Sequence, residues 1–284
     1  MDTSTHVADT AHRAFMDPAA LDAAAAFWVR FLDVMYAFPE VRSNHRRIVN
    51  LMELHPGSSL LDVGCGTGNF ARDAVAIVSP GGRVVGCDIS ETMLGIANTR
   101  TADAGLEIDY HLGNANALPF GDDSFDAARI ERVLQYLDEP AKAVEEMVRV
   151  TKPGGRIAAT EVDWDGISID CGGRLDHDIW RRAIGSISDG AGNGWQGREI
   201  RRLFIDAGLE EITCEAVVVI VTEARTMLED LAGRVSMERA RDAGAVSDQE
   251  VEQLVATALE LDRTGRFTGG IPLYTVVGRV PRQA

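Results

Sequence analysis

Apolar runs and helical patterns alternate between residues 60 and 162. In the helical segments, apolar residues recur every three to four positions, and between them lie five short runs of strand-like composition: "SLLDVG", "RVVGCD", "IDYHLG", "FDAARI" and "RIAATEV". This alternation is typical of βαβ units, in which a helix connects one parallel strand to the next. Two turns, "SPGG" at 79–82 and "KPGG" at 152–155, place proline and glycine just before a strand. Ser90, three residues before Met93, is expected to cap the helix that follows the second run. The pattern therefore predicts an α/β fold on a mostly parallel sheet.

The chain on either side of this region has a different pattern. Residues 1–56 are mainly helical by periodicity, with Phe27, Trp28, Phe31 and Met35 on one face. After the fifth run come a glycine-rich stretch, a helix, a β-like run, two helical stretches and a last β-like run: 164–197, "REIRRLFIDAGL", "ITCEAVVVIVT", 224–264 and "IPLYTVVGRV". We expect the last two strands to pair in an antiparallel manner at one edge of the sheet.

Charge and cysteine spacing narrow the classes of partner. The 284 residues carry 28 Lys plus Arg against 44 Asp plus Glu, a formal charge of −16, which opposes binding of a nucleic-acid backbone. The four cysteines are too far apart for a zinc site or a disulfide framework, so we expect buried, reduced thiols and no metal. The first residues do not resemble a secretion signal, and the apolar run Ala216–Val221 is too short to span a bilayer. We therefore expect a cytoplasmic protein without a membrane or nucleic-acid partner.

Three glycines at alternate positions follow the first strand-like run, in "LLDVGCGTGNF". Such a turn lets the backbone approach a ligand closely, and the following helix offers free N–H donors. The spacing of Gly64, Gly66 and Gly68 is G-x-G-x-G, whereas the dinucleotide fingerprint is G-x-G-x-x-G. Asp88 ends the next strand, where its two oxygens can accept hydrogen bonds from both hydroxyls of a ribose. We infer a ligand that contains ribose but no pyrophosphate.

Four motifs in this order, "LLDVGCGTG", "VVGCDIS", "GNANALPFGDDSFD" and "KPGGRI", resemble the class I S-adenosylmethionine-dependent methyltransferases. They are most similar to the branch with the ubiquinone/menaquinone and sterol C-methyltransferases and many small-molecule methyltransferases of bacterial secondary metabolism. The resemblance covers roughly residues 58–160. It implies S-adenosylmethionine as cofactor, S-adenosylhomocysteine as product and a small-molecule acceptor. It also implies a Rossmann-like, seven-stranded, mostly parallel sheet with helices on both faces, an N-terminal helical extension and a helical insertion before the last strand.

The resemblance assigns cofactor contacts to particular residues. It places the methionine part of the cofactor over the glycine turn with Asp62 just behind, the ribose on Asp88 and the adenine against Ile89. Asn114 stands where the family usually has the aspartate of G-D-A, so its amide oxygen would accept from the adenine amino group, and the N–H of Ala115 would reach the ring. The cofactor contacts expected in this way are Asp62, Gly64, Cys65, Gly66, Gly68, Asp88, Ile89, Asn114, Ala115, Glu131 and Arg46.

Two of these residues depend on weaker signals than the glycine turn. Glu131 stands at the end of the fourth strand together with Arg132, and ligands in open α/β sheets lie beyond the carboxyl ends of strands. Arg46 belongs to a basic cluster, "RSNHRR", in the N-terminal helices that often cover the cofactor in this family. We expect Arg46 to bind the methionine carboxylate, although a solvated helix face is an alternative reading of the same cluster.

Three residues are candidates for moving a proton in catalysis. Family members commonly have histidine where this chain has Tyr136, so Tyr136 would bind the acceptor or simply pack in the wall. Glu161 and Asp163 lie at the end of the fifth strand and share one face of it, so either could orient or deprotonate an acceptor. No N-P-P-Y follows the fourth strand, which weighs against amino methylation of nucleic-acid bases.

We expect a single methyltransferase domain over residues 1–284. It would comprise an N-terminal helical cap (1–56), a cofactor-binding core (57–163) and two substrate-side insertions (164–197 and 224–264). The methylated atom (C, O or N) and the oligomeric state, monomer or homodimer, stay open. Two other functions stay open as well: a nicotinamide-dependent oxidoreductase, and a protein that binds S-adenosylmethionine without transferring its methyl group.

Overall fold

The computed structural model describes residues 25–190, 193–231 and 233–282, so residues 1–24 of the expected cap lie outside the described chain. The α-helices are α1 (Ala25–Ala37), α2 (Pro39–Leu51), α3 (Asn69–Val78), α4 (Glu91–Asp103), α5 (Pro140–Val150), α6 (Arg174–Gly190), α7 (Gln196–Asp206), α8 (Gly233–Asp242) and α9 (Asp248–Arg263). Short 3-10 turns cover Leu134–Tyr136 and Trp164–Gly166, and a π-helical turn covers Thr226–Asp230.

The strands form one mixed sheet. They are β1 (Ser59–Val63), β2 (Arg83–Asp88), β3 (Asp109–Leu112), β4 (Phe125–Glu131), β5 (Thr151–Val162), β6 (Ser168–Ile169), β7 (Glu210–Val221) and β8 (Gly269–Arg279). Strands β3, β2, β1, β4 and β5 are parallel neighbours in that order, and β8 pairs antiparallel with both β5 and β7. The antiparallel pairing expected for the last two strands is therefore confirmed.

The described sheet has eight strands, and the prediction of seven is corrected. The additional strand is β6, whose two residues pair with Gly270 and Gly269 at the start of β8. After the Trp164–Gly166 turn, it resumes along β8 the antiparallel pairing that β5 leaves at Val162. A two-residue strand carries too little periodicity to be seen in the sequence.

Neighbouring side chains of each central strand point into different cores, as the pleat requires. Leu60 packs with α2 and α3 on one face of the sheet, and Leu61 packs with α5 and α7 on the other. Both leucines are fully buried, which explains why the parallel strands are apolar throughout rather than alternating. The helices on both faces agree with the predicted fold class.

A third core lies beside the sheet and joins α1 to the two insertions. Trp180 of α6, Met237 of α8 and Leu254 of α9 are buried together there, and Phe31 of α1 packs against them. The insertions are thus built into the body of the protein next to the end of β5.

Some local expectations are met and one is not. The hydroxyl oxygen of Ser90 accepts a hydrogen bond from the N–H of Met93 (3.1 Å) and caps α4, as its position indicated. Cys65, Cys87 and Cys171 are buried free thiols, but Cys214 is exposed on β7, so the expectation that all four are buried is corrected. None of the described helices is both long and apolar enough to cross a membrane.

Candidate active site

A cavity opens beyond the carboxyl ends of the parallel strands, where ligands bind in open α/β sheets. Eight of the residues singled out in the sequence lie on its wall: Gly64, Gly66, Asp88, Ile89, Asn114, Ala115, Glu131 and Tyr136. Aromatic side chains line the opposite end, namely Trp28 and Phe31 of α1, Tyr136 and Trp164. We call this space the main cavity; one end is polar and the other is aromatic.

The glycine turn needs its glycines for steric reasons that the structure makes explicit. Gly64 has φ = 65°, and a Cβ at this position would lie 2.2 Å from Cγ2 of Val133. Gly68 precedes α3 with φ = 74°, and a Cβ there would lie 2.2 Å from the hydroxyl of Tyr110. Gly64 therefore leaves room for Val133, and both residues line the main cavity. Gly68 leaves room for Tyr110 and does not line that cavity.

Asp88 connects the glycine turn to the next helix. Its Oδ2 accepts a hydrogen bond from the N–H of Gly66 (2.8 Å), and its Oδ1 accepts one from the N–H of Ser90 (3.0 Å). Burial raises the pKa of Asp88, and these backbone N–H groups oppose the rise. The carboxylate is thus held at the cavity wall by its neighbours, and each oxygen keeps lone pairs for a ligand.

Asn114 forms a local turn at the cavity wall. Its Oδ1 accepts a hydrogen bond from the N–H of Asn116 (2.9 Å), and its backbone carbonyl accepts one from Ala117 (2.9 Å). The side-chain oxygen therefore already has one partner, and one lone pair is left for a ligand. Ala115 follows on the same wall.

A network of buried charges lies beneath the turn. Arg129 of β4 donates to Asp62 Oδ1 (2.9 Å) and to Glu131, and its Nη2 lies 3.2 Å from Nε2 of His45. Burial raises the pKa of Asp62 despite Arg129. Burial acts in the same direction on Glu131, but the charges of Arg129 and His45 hold its pKa well below its usual range.

This network borders a second, polar cavity that shares Gly64 and Gly66 with the main cavity. We call it the polar chamber; Asp62, Cys65 and Glu131 lie on its wall. Burial raises the pKa of the Cys65 thiol well above its usual value, so this thiol is neutral. The structure thus brings Asp62 and Cys65 close to the turn, as predicted from sequence, but within the polar chamber.

Arg132 lines both cavities, at the end of the fourth strand where the sequence placed it, but the resemblance assigned it no cofactor contact. Its backbone has φ = 55°, a conformation that residues other than glycine seldom adopt and that clusters at functional sites. Its Nε and Nη1 are buried and have no hydrogen-bond partner among the described residues, although Nε lies 3.4 Å from Glu131 Oε1. A guanidinium held in this way is suited to an anionic ligand.

Arg46 lies on the exposed face of α2 and lines neither cavity. The buried positions of α2 include Val41, Asn44, His45 and Ile48, and Arg46 follows His45 by one residue. A helix turns by about 100° per residue, so Arg46 faces away from the site. The expected contact of Arg46 with the cofactor is therefore corrected.

Two of the three candidates for proton transfer have other partners. Oε1 of Glu161 accepts hydrogen bonds from the N–H groups of Val133 (2.9 Å) and Leu134 (2.7 Å). Asp163 accepts from Arg198 of α7 (2.9 Å to Nε). Neither carboxylate is on the wall of the main cavity. Their catalytic role stays a prediction, because each carboxylate is held by a donor, Val133 on the cavity wall among them.

Tyr136 does line the main cavity. Burial raises the pKa of Tyr136 well above its usual value, and the charge of Glu161 adds to the effect. Its hydroxyl therefore stays protonated at neutral pH and is suited to donate a hydrogen bond rather than to act as a base.

The buried carboxyl of Glu161 predicts a pH dependence of stability. Burial raises its pKa to about 8 from a usual value of 4.5, so the folded protein holds this proton more tightly than the unfolded chain. The corresponding stabilisation is complete below about pH 4.5 and is lost as the pH rises toward 8. Glu161→Gln should lack this loss, because a neutral amide can still accept from both N–H groups.

The measurement is urea unfolding of both proteins across that pH range. Glu91, exposed on α4, is changed to glutamine as the control. If Glu161→Gln and the parent protein lose stability in parallel, Glu161 is ionised in the folded protein and the assignment is wrong.

Several known proteins are similar to this chain in sequence or in fold. A family described as a methyltransferase domain matches residues 61–159. An uncharacterized 37.1 kDa protein in transposon Tn4556 of Streptomyces fradiae is 33% identical over 256 residues, which cover 88% of this chain and 71% of that protein. Demethylmenaquinone methyltransferase of Paenarthrobacter aurescens is 41% identical over 122 residues, 43% of this chain and 46% of that enzyme. This chain thus spans about half the length of the demethylmenaquinone methyltransferases it matches.

Among solved structures, the [4+2]-cyclase SpnF superposes with a TM-score of 0.54 at 23% identity, covering 86% of this chain and 82% of that one. This likeness shows the shared fold. Together with the site, the fold defines a methyltransferase of the Rossmann-like type. The chain belongs to the class I S-adenosylmethionine-dependent methyltransferases, and S-adenosylmethionine is its cofactor.

Proposed function

We propose that this methyltransferase methylates a small organic acceptor bound against Trp28, Phe31, Tyr136 and Trp164. The observation that carries the proposal is the main cavity, in which the glycine turn and Asp88 stand at one end and these aromatic side chains at the other. S-adenosylmethionine supplies an electrophilic methyl group on a sulfonium. The protein's part is to hold the acceptor in line with that methyl group and to exclude water.

The residues present fit the cofactor along its length. Asp88 would hold the ribose, Ile89 would pack on the adenine, and the Asn114–Ala115 turn would meet the adenine edge; all of them line the main cavity. The glycine turn then lies between the ribose and the polar chamber.

The amino-acid end of the cofactor would enter the polar chamber. Its carboxylate would bind the unpaired N–H groups of Arg132, and its ammonium would lie near Asp62, whose Oδ2 has no hydrogen-bond partner among the described residues. Both unpaired groups are buried, which makes leaving them unsatisfied costly. Binding of a zwitterion would satisfy both.

Arg132→Gln should therefore weaken binding of S-adenosylhomocysteine about tenfold or more, the effect of losing a charged hydrogen bond. Binding of 5′-methylthioadenosine, which lacks the amino-acid end, should be unchanged. Calorimetry with both ligands measures the difference, and Arg46→Gln, on the exposed face of α2, should alter neither. Equal losses for the two ligands would show that Arg132 is structural.

Tyr136 would bind the acceptor itself. A protonated hydroxyl on the wall of the main cavity can donate a hydrogen bond to an acceptor oxygen and so orient it toward the methyl group. Flat aromatic rings suit the aromatic end because they stack edge-to-face or offset on aromatic side chains. The name demethylmenaquinone methyltransferase indicates a ring acceptor for those relatives, and we propose a ring-containing acceptor from secondary metabolism here.

The test is incubation of the purified protein with methyl-deuterated S-adenosylmethionine and a metabolite extract, followed by mass spectrometry. A small molecule that gains the deuterated methyl group supports the proposal and identifies the methylated atom. Binding of S-adenosylhomocysteine without transfer to any metabolite would instead favour a non-catalytic binding protein. Binding of NADH in place of S-adenosylhomocysteine would favour the oxidoreductase alternative.

A further inference from the structure

An apolar chamber adjoins the aromatic end of the main cavity. The two spaces share Phe31, Val162 and Trp164 as common walls. The rest of this side chamber is built by α1, by α6, by the π-helical turn, by α8 and by Ile271 of β8. Both insertions, 164–197 and 224–264, therefore contribute walls to it. Nothing in the proposed cofactor contacts uses this space.

The wall of the side chamber offers almost no polar group. The indole N–H of Trp180 donates to the carbonyl of Ile167 (3.2 Å), and the indole N–H of Trp164 donates to Gln135. Among the described lining residues none is charged, and Ser236 of α8 contributes the one aliphatic hydroxyl. A space with such walls favours hydrocarbon over water or charged groups.

The main cavity differs from the side chamber in the charge of the residues on its wall. Charged residues line the main cavity, namely Asp88, Glu131 and Arg132, whereas none of the described residues that line the side chamber is charged. Phe31 and Trp164 border both spaces. A molecule that reaches from one space to the other must be polar or reactive at one end and apolar at the other.

We propose that the side chamber holds an apolar substituent of the acceptor, such as an alkyl chain, while the methylated atom stays in the main cavity. This inference rests on the proposed function, because it takes the acceptor to lie at the aromatic end. It assigns acceptor choice to the two insertions, whose residues Trp180, Ile184, Met227 and Leu231 form much of the chamber wall. The competing interpretation is a packing gap between the insertion helices that no ligand enters.

The experiment measures binding of 4-n-alkylphenols, from the methyl to the hexyl member, to the full-length protein saturated with S-adenosylhomocysteine. Affinity should rise about fourfold for each added methylene, which corresponds to ~0.8 kcal/mol per buried CH₂, until the chamber is full. Calorimetry gives the dissociation constants.

Two variants of α8 test whether the dependence of affinity on chain length arises in the side chamber. Ser236→Trp fills the chamber from its wall and should flatten the dependence on chain length. Val235→Trp, at the preceding position, which is 43% exposed, should keep the wild-type dependence. Unchanged affinity of both variants for S-adenosylhomocysteine shows that each is folded.

The proposal is overturned if the longer phenols bind no more tightly than the shortest one, or if Ser236→Trp keeps the wild-type dependence. Its failure can be told apart from failure of the proposed function. If the chain-length dependence is seen but no metabolite receives a methyl group, the chamber binds apolar groups and the assigned catalysis is wrong. If methyl transfer occurs without the dependence, only the chamber assignment is wrong.

Discussion

Replacing Arg129 by methionine should lower the free energy of unfolding by about 3–5 kcal/mol, the usual effect of removing one partner from a buried ion pair. Arg129 is 4% exposed and stands between Asp62 and Glu131. Its guanidinium also lies over the ring of Phe70, 3.8 Å from the ring centre. Methionine would keep much of the packing but would leave the buried carboxylate of Asp62 without its cation, and Glu131 with only His45 and Arg132 nearby. Chemical denaturation at neutral pH measures the loss.

The control is Arg263→Met, which breaks an exposed pair with Glu260 and should change stability very little. Adding Asp62→Asn to Arg129→Met should restore part of the loss, because the uncompensated charge of Asp62 is then removed. The loss should also shrink at acid pH, where protons neutralise the carboxylates. A loss as small as that of Arg263→Met would show that the network does not stabilise the fold.

Asp88→Ala should weaken S-adenosylhomocysteine binding by about 1.5–3 kcal/mol, or roughly ten- to a hundredfold, as expected for lost hydrogen bonds to a charged group. The alanine removes the acceptor proposed for the ribose hydroxyls. It also frees the N–H of Gly66, so the turn loses the contact that holds it in place. Calorimetry with purified protein measures the change.

Asp88→Asn is the informative partner variant, because its amide keeps one acceptor oxygen and should give an intermediate loss. Asp103→Ala is the control for the general effect of removing an acidic residue, because Asp103 is exposed at the far end of α4, the helix that follows Asp88. Unchanged affinity in Asp88→Ala would refute the ribose contact.

The parts of this protein that were predictable are those set by local pattern. Continuous apolar runs bounded by proline–glycine turns predicted the parallel strands, because strands buried on both faces must be apolar throughout. Asp88 could be placed at the cavity because parallel strands end at the same edge of the sheet. The N-terminal cap at Ser90 followed from its side chain and its place before a helical pattern.

The sequence is a poor guide where tertiary contacts decide which partner a side chain binds and which way it points. Strand alternation could indicate the face of β5 on which Glu161 lies. It could not indicate that the N–H groups of Val133 and Leu134, 27 or more positions earlier, would donate hydrogen bonds to its carboxyl group. Arg132 could be placed at the ligand edge of the sheet because it follows the fourth strand, but its left-handed backbone conformation and its contact with both cavities leave no mark in the sequence. Arg46 differs, because the helical spacing of the buried residues of α2 could have excluded it.

The place of β8 between β5 and β7 has a consequence for how the protein is made. On the ribosome, β5 emerges more than a hundred residues before β8, and until β8 arrives the nascent chain presents a bare strand edge. The side-chain amide of Asn44 donates a hydrogen bond to the hydroxyl of Thr275 in β8 (3.1 Å), 231 positions later, so this bond also cannot form before β8 is made. Contacts of such long range slow folding. Newly synthesised chains should therefore depend on chaperones until this strand is inserted.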